Sequence, residues 1–252
     1  MVKILVISDM HVGSGYAIRP LKWKNTNANP VQRKILKKWD EMCRNEKDID
    51  YLLINGDAVD GTGAAEEGKH QDIADTNEQV KAAAELVSMI NCDKILVTYG
   101  SKYHTKENPN LDEQFAEEIG ATKHDYEINF QPKTLKDVIH LSHNISVSTS
   151  SWQYRTTPIA KELVAALLNE KELYRYKSII RSHAHYFCTV AFTSNFGLIT
   201  PCWQTRTPYM IRKGLSLIPK LGYVILQKEK NEDQWTVDPH TFNIPRPELV
   251  KF

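Results

Sequence analysis

Five apolar runs in this sequence end in, or are closely followed by, aspartate or histidine. The first, Ile4–Ile7, is followed by Asp9 and His11, one residue apart. Four branched apolar residues in succession predict a short strand buried on both faces. Taken alone, the Asp-x-His pair indicates no more than a turn cap and a histidine packed on a strand end. The same kind of ending recurs after four later runs, which favours one shared site.

The four later runs also read as buried strands and lie in Tyr51–Asp60, Lys94–Gly100, Val138–His143 and Ser178–His185. Their polar endings are, in chain order, Asp57 with Asp60, Ser101 with His104, His143, and His183 with His185. Functional groups collect at the carboxyl ends of the strands in open α/β sheets. Carboxylates and imidazoles are both good ligands for divalent transition metals. The series therefore predicts a metal site at one edge of a sheet.

Helical patterns separate the early strands. Asn29 is a good cap and Pro30 a good first residue for a helix that continues to about Arg44. Apolar residues at helical spacing predict further helices over Asp75–Ile90, Leu111–Ile119 and Pro158–Tyr174. The alternation of strand and helix is typical of parallel βαβ units.

Beyond Tyr186 the pattern changes to strands without helices between them. They are predicted at Phe187–Phe192, Gly197–Thr200, Leu221–Gln227 and Trp235–Phe242, in addition to an earlier strand over Thr122–Gln131. Strands in direct succession predict an antiparallel or mixed sheet. With 252 residues the chain is long enough for a substantial core. We predict an α/β fold of two packed mixed β-sheets flanked by helices, in a single domain over residues 1–252.

Two long polar segments interrupt this pattern. Val12–Asn29 is rich in Gly, Asn, aromatic and basic residues and lacks a clean period, so it is a functional loop or a disordered surface loop. Gly61–Asp72 contains three glycines and is either a mobile lid over the strand ends or a plain connection.

Composition sets the remaining bounds. A net charge of +1 gives no general argument for nucleic acid and none against a local basic groove. The four cysteines are scattered without a Cys-x-x-Cys pair, which favours free thiols in a reducing compartment over a zinc ribbon or a disulfide framework. No apolar run approaches membrane-spanning length, and the first is too short for a signal peptide. We expect a cytoplasmic protein without a membrane partner; the oligomeric state stays open.

The ordered motifs resemble the calcineurin-like metallophosphoesterase family. The elements that carry the likeness are Asp9-x-His11, Gly56-Asp57-x-x-Asp60, a Gly100 segment with His104, then His143, and finally His183-x-His185. The family's α/β sandwich of two mixed sheets agrees with the predicted strands. The segments Ser182–Phe187 and Pro201–Gln204 look similar to members of phage and prophage type.

The resemblance implies a site for two divalent metal ions. Carried over by motif, the first ion would be held by Asp9, His11 and His185, the second by His143 and His183, and both would be bridged by Asp57. Asp60 would hydrogen-bond to a ligand or a loop amide without binding metal itself, or else it is a solvated acid at the start of a helix. Manganese is the preferred metal, with iron, zinc, nickel and magnesium as alternatives. A hydroxide that bridges the ions would attack phosphorus.

One motif departs from the family pattern of Gly-Asn-His-Asp or Gly-Asn-His-Glu. Here the third strand is followed by Gly100, Ser101, Lys102, Tyr103 and His104. Ser101 stands where the family has an asparagine ligand, and its hydroxyl is a shorter and weaker donor. We therefore expect the second metal ion to bind more weakly than the first. His104 comes two residues late, and we expect it to act as the general acid.

The resemblance implies a metal-dependent phosphoesterase. A phosphodiesterase or nuclease-type activity is preferred because the loop Tyr16–Lys24 is basic and aromatic, and Lys22 and Lys24 would contact a nucleic acid or nucleotide. Arg206 would contact phosphate or substrate, while Trp203 and Tyr209 are expected to pack on the second sheet. The alternatives are a phosphomonoesterase, a protein phosphatase, or a non-catalytic metal-binding module.

Overall fold

The computed structural model describes residues 1–63, 67–105, 110–146, 152–169, 175–215 and 218–243. The strands are β1 (Val2–Ile7), β2 (Lys22–Trp23), β3 (Thr26–Asn27), β4 (Tyr51–Asn55), β5 (Ile95–Thr98), β6 (Lys123–Asp125), β7 (Glu127–Phe130), β8 (Val138–Ser142), β9 (Tyr176–Arg181), β10 (Cys188–Phe192), β11 (Asn195–Ile199), β12 (Leu221–Lys228) and β13 (Thr236–Phe242). The helices are α1 (Pro30–Asn45), α2 (Thr76–Ser88), α3 (Lys102–Thr105), α4 (Leu111–Glu118), α5 (Thr157–Leu168) and α6 (Pro208–Arg212), with a 3-10 turn at Trp152–Tyr154.

Two mixed sheets form the centre of the fold. The first has the strand order β13-β12-β1-β4-β5-β6, and the second has the order β10-β11-β9-β8-β7. Within the first sheet β1, β4, β5 and β6 are parallel, whereas β12 is antiparallel to both of its neighbours. In the second, β8, β9 and β11 are parallel and the edge strands β7 and β10 run the other way. The strands beyond Tyr186, predicted to be antiparallel or mixed, pair antiparallel in β10–β11 and β12–β13, and β11 is also parallel to β9.

Strand β1 has a different core on each face. Leu5 and Ile7 pack with the apolar face of α1, in a cluster that also contains residues of α2 and α4. Ile4 and Val6 point to the other face and pack with residues of the second sheet. Because successive side chains of a strand point to opposite faces, an apolar run without alternation fits a central strand of this kind. Burying one such side chain fully is worth about 1.5–3 kcal/mol.

The outer faces of both sheets are covered by helices. Helices α1, α2 and α4 cover the first sheet. On the second sheet Ile159 and Leu163 of α5 pack against Ile179 and Ile199. The layers therefore run helix, sheet, sheet, helix, and the predicted α/β sandwich is confirmed. All four cysteines are free. No described helix has both the length and the apolar character that a bilayer crossing requires.

The helix starts follow the sequence signals. The Asn29 side chain caps α1 by accepting from the Gln32 backbone N–H, and Gln32 Oε1 accepts from the Asn29 backbone N–H in return, which completes a capping box. Asp75 caps α2 in the same way from its side chain. Helix α5 is predicted to continue to Tyr174; residues 170–174 of that prediction lie outside the described residues.

Two segments differ from their predictions. The single strand predicted over Thr122–Gln131 is two strands, because β6 pairs with β5 in the first sheet and β7 pairs with β8 in the second. The predicted loop Val12–Asn29 is ordered and contains the β2–β3 hairpin. Its anchor is Arg19, which is fully buried, forms an ion pair with Asp72 and donates to Thr26 Oγ1 at 3.0 Å. A buried guanidinium needs such partners, so it fixes the loop that carries it.

Candidate metal centre

The backbone is held in an unusual conformation at the strand ends. Five site residues have left-handed φ angles between 46° and 66°, namely Asp9, His11, Asp57, His183 and His185. Such φ angles are uncommon outside glycine, cost on the order of 1 kcal/mol or more each, and cluster at functional sites. Backbone hydrogen bonds of 3.0 Å hold two of these turns together, from Asp9 N to Gly56 O and from His11 N to Asp57 O.

Two glycines allow these turns to pack closely. Gly56 has a φ of +80°, and a Cβ there would lie 2.4 Å from His143 Nδ1. A Cβ on Gly100 would lie 2.0 Å from Asp57 Oδ1. No larger side chain fits at either position without moving a predicted ligand. Both glycines are therefore required by space, and Gly56 is required by its backbone angle as well.

The first group of predicted ligands comprises Asp9, His11 and His185, all buried. The two histidines approach through their Nε2 atoms at 3.1 Å, and His185 Nε2 lies 3.2 Å from Asp9 Oδ1. The other carboxylate oxygen of Asp9 accepts from the Ser8 hydroxyl at 2.6 Å and from His183 N at 3.3 Å. One oxygen is thus held by the protein while the other faces the imidazoles.

The second group comprises Asp57, His143 and His183. His143 Nδ1 lies 2.7 Å from the carbonyl oxygen of Asn55, so Nδ1 carries the proton and Nε2 bears a lone pair when the ring is neutral. That Nε2 atom lies 3.0 Å from Asp57 Oδ2. Two electron-pair donors this close repel one another unless a positive charge, either a proton or a metal ion, lies between them.

A third group links the other two, because it takes His11 from the first and Asp57 from the second and adds His104. Within each of the three groups the ligand atoms lie within 4.8 Å of one another. Asp57 therefore lies between the first and second groups, which is the geometry that a bridging carboxylate needs. The structure brings all six predicted Asp and His ligands together.

Burial and neighbouring charges shift the pKa values of the predicted ligands. Burial opposes ionisation of Asp9, but His185 and other histidines outweigh it and lower the pKa to about 2. Burial and the neighbouring His104 lower the pKa of His11 to about 4. Burial also acts against a charged His143, yet Asp57 and Asp9 raise its pKa to about 9. The carboxylates thus hold a positive charge in the site, which a divalent cation can supply in place of protons.

The residues present fit divalent metal ions. Asp9 Oδ1 and His143 Nε2 are buried and have no hydrogen-bond partner within the described part of the chain. A buried polar atom without a partner is costly, and a coordinated cation removes that cost. Imidazole nitrogens with carboxylate oxygens are a ligand set for Mn, Fe, Zn and similar ions.

Ser101 lies against the central carboxylate. Its backbone N–H donates to Asp57 Oδ1 at 2.8 Å, and its hydroxyl lies 3.2 Å from Asp57 Oδ2. In this arrangement Ser101 orients Asp57 by donating hydrogen bonds. Its role as a ligand of the second metal stays a prediction.

His104 and Asp60 form a pair beside the first group. His104 Nδ1 lies 3.0 Å from the Asp60 carbonyl oxygen and 3.5 Å from its carboxylate. The same carboxylate lies 3.5 Å from Nδ1 of His11, on the side of that ring away from Asp9. Asp60 therefore contacts the outer nitrogens of two histidines, as an orienting carboxylate outside the ligand set does.

Asp112 is a site residue that the sequence interpretation missed. Its buried carboxylate accepts backbone N–H groups from both ligand-bearing turns, at 2.9 Å from Asp57, 3.0 Å from Ala58 and 2.7 Å from Gly100. Burial and the neighbouring Asp57 raise its pKa to about 7. The sequence did contain a signal, because Asp112 lies on the stripe of α4 that also buries Phe115 and Ala116. A carboxylate on the apolar face of a helix indicates a buried group that needs hydrogen-bond partners.

A cleft of about 390 Å³ opens next to the ligands and is lined in part by Asp57, Ser101, His104, His183 and His185. The three predicted substrate-binding cations do not line it. Lys24 is exposed and pairs with Glu78 at 3.0 Å, because the β2–β3 hairpin turns it toward α2. Of the loop Tyr16–Lys24, only Tyr16 reaches the cleft.

Arg206, Trp203 and Tyr209 also differ from their expected places. Arg206 Nη2 donates to the Leu215 carbonyl at 2.8 Å, so it supports the loop that it lies on. Trp203 is fully buried but packs edge-on against Trp39 of α1, with ring centroids 4.8 Å apart, in the core of the first sheet. Tyr209 lines the cleft. Packing of both aromatics on the second sheet was therefore a wrong expectation.

Solved structures with a similar fold share little sequence with this chain. A protein described as a novel archaeal phosphodiesterase is 14% identical, with 95% of this chain and 100% of that chain covered and a TM-score of 0.47. Vps29 from Chaetomium thermophilum is 10% identical, with 97% and 100% covered and a TM-score of 0.48. A predicted phosphoesterase from Streptococcus pneumoniae is 10% identical, with 95% and 98% covered and a TM-score of 0.41. Because these TM-scores lie below 0.5, we base no argument on the three likenesses.

A comparison with curated proteins finds no match. The family model described as calcineurin-like phosphoesterase matches residues 2–187, a range that includes every predicted metal ligand. The match covers most of the chain and agrees with the sandwich fold and with the order of the motifs. The chain belongs to the calcineurin-like phosphoesterase family.

Proposed function

We propose that this protein is a metal-dependent phosphodiesterase that uses two divalent ions, preferably manganese. Membership of the family gives the coarser statement, a metal-dependent phosphoesterase. The observation that carries the proposal is the position of Asp57, which belongs to the group with His143 and His183 and also to the group with His11 and His104. A purely structural metal would need no shared carboxylate between two groups.

Each side chain has a task in this proposal. Asp9, His11 and His185 in one group, and Asp57, His143 and His183 in the other, would hold divalent ions, and such ions would lower the pKa of a bound water and offset the charge of the phosphoryl group. Asp57 would be shared by the two groups. Ser101 holds the Asp57 carboxylate in place by donating hydrogen bonds from its backbone N–H and its hydroxyl. Nδ1 of His104 donates to the Asp60 carbonyl, which fixes the ring, and Nε2 of the imidazolium form would give its proton to the leaving oxygen.

The cleft favours a diester over a monoester. A monoester dianion carries one more negative charge than a diester, and a site usually meets that charge with Arg or Lys. None of the lining residues in the described ranges is Arg or Lys. The lining includes Tyr16, Tyr103, Tyr209 and Met210, which suit a second organic group on phosphorus.

Paired aryl substrates test the proposal. Bis-p-nitrophenyl phosphate and p-nitrophenyl phosphate release the same product, so their kcat/KM values can be compared directly with manganese present. We expect the diester to be hydrolysed faster, and Asp57→Asn to lose the activity while it keeps the fold. Preference for the monoester would support the alternative of a phosphomonoesterase. A folded, metal-loaded protein that cleaves neither ester would support a non-catalytic metal-binding module.

A further inference from the structure

The apolar part of the cleft comes from three separate segments of the chain. Tyr16 follows the first ligand turn, Tyr103 lies on α3 next to His104, and Tyr209 and Met210 lie on α6. These side chains share one cavity with the predicted metal ligands. Tyr103 and Tyr209 are 46% and 40% exposed, so each ring offers a large apolar surface that a ligand can cover.

Hydrogen bonds hold two of these segments in fixed relation. Thr205 N donates to the Tyr16 carbonyl at 2.8 Å, which joins the turn of Tyr16 to the segment that leads into α6. Arg206 closes that segment through its bond to the Leu215 carbonyl, and Thr207 caps α6 by accepting from Met210 N at 3.3 Å. A wall that is already held in place loses little freedom when a ligand binds.

The size and charge of the cleft limit what the wall can accept. A volume of about 390 Å³ lies at the lower end of the range for small-molecule sites, which is about 300–1,000 Å³. This volume matches a phosphoryl group with one ring system. Lys24, one of the cations predicted to contact phosphate, pairs with Glu78 instead.

We propose that Tyr16, Tyr103 and Tyr209 form a specificity subsite, here called the tyrosine wall, for one uncharged planar aromatic group of the substrate. The substrate class is a small phosphodiester with an aryl or nucleobase substituent. This inference rests on the proposed phosphoesterase function for the position of phosphorus at the metal ligands. The ring lies against the tyrosine wall while the phosphoryl group faces Asp57, His183 and His185.

Binding of phosphonates tests the tyrosine wall without hydrolysis. Phenylphosphonate and methylphosphonate carry the same anionic group, so the ratio of their Kd values for the manganese-loaded protein isolates the ring. We expect phenylphosphonate to bind about tenfold more tightly, the effect of one aromatic stacking contact. The ratio should fall toward one in Tyr209→Ala and in Tyr103→Ala. Tyr126→Ala is the matched control, since that tyrosine is 61% exposed and does not line the cleft.

Steady-state kinetics provide a second test of the tyrosine wall. Bis-p-nitrophenyl phosphate and methyl p-nitrophenyl phosphate share a leaving group and differ in the second substituent. We expect the wall variants to raise KM for the bis-aryl ester and to change kcat much less. Equal phosphonate affinities in the wild type, or an unchanged ratio in both wall variants, would overturn the proposal. So would a single-stranded oligonucleotide that competes better than a thymidine aryl phosphodiester. Aryl-selective binding without hydrolysis would support the tyrosine wall and count only against the catalytic proposal.

Discussion

Replacement of Asp112 by Asn tests how the two ligand-bearing turns are held together. Oδ2 of Asp112 accepts from Asp57 N and Gly100 N, and Oδ1 accepts from Ala58 N. The substitution keeps the shape of the side chain but turns one acceptor oxygen into a donor. The best orientation of the new amide puts its oxygen at the Oδ2 position. Only Ala58 N–H then loses its acceptor, and it faces an NH2 group.

The expected loss of stability follows from the number of backbone N–H groups that are left without an acceptor. One buried donor left without an acceptor costs about 1–3 kcal/mol. A change from a charged to a neutral acceptor would add to the loss at the two remaining bonds. Burial and Asp57 raise the pKa of Asp112 to about 7, so the charge of this carboxylate is only weakly favoured near neutral pH and the added loss is small. We expect Asp112→Asn to lower the free energy of unfolding by about 1–3 kcal/mol.

Urea unfolding of the metal-free protein, followed by far-ultraviolet circular dichroism, measures this loss. Glu113→Gln is the matched control, because Glu113 is the exposed next residue of the same helix turn and also loses one charge. The control should stay within about 0.5 kcal/mol of the wild type. An Asp112→Asn protein as stable as the control would refute the reasoning that Asp112 holds the turns through their N–H groups.

Three further predictions concern single side chains. If His104 is the general acid, His104→Ala should slow esters with poor leaving groups most, and an equal loss for all leaving groups would contradict this role. Ser101→Asn should tighten the weaker of two manganese sites in calorimetry, because the amide oxygen reaches further; unchanged affinity would count against the site. Burial and Arg181 lower the pKa of His140 from 6.5 to about 4. The fold therefore favours the neutral ring, and the contribution of His140 to the free energy of unfolding is fully present above pH 6.5 and is lost as the pH falls toward 4. Over that range the free energy of unfolding of His140→Gln should fall by about 3 kcal/mol less than that of the wild type.

The strands and the ligand series could be predicted from the sequence for physical reasons. A central strand of a covered sheet needs apolar residues on both faces, so β1 appears as the unbroken run Ile4–Ile7. Parallel strands bring their carboxyl ends to one edge, which is why Asp9 and Asp57 could be expected to meet. Asn29 and Pro30 gave the start of α1 because capping depends on neighbouring residues alone.

Features that depend on distant partners could not be predicted. Lys24 looks available for phosphate in the sequence, but the hairpin turns it onto Glu78. The strand predicted over Thr122–Gln131 divides because its first part, the polar β6, pairs with β5, whereas the alternating β7 pairs with β8, and these pairing partners are far away in the chain. The cleft wall comes from three segments far apart in the chain, so no local pattern brings Tyr16 and Tyr209 together.

Metal stoichiometry tests whether Asp57 joins two metal sites. Metal-free protein is dialysed against manganese, and the bound metal is counted by elemental analysis for the wild type and for Asp57→Asn. We expect two ions per wild-type chain and fewer than one in Asp57→Asn at the same free concentration, because the proposed bridging carboxylate would serve both ions. A wild type that binds one ion or none, or an Asp57→Asn protein that binds two with undiminished affinity, would contradict it.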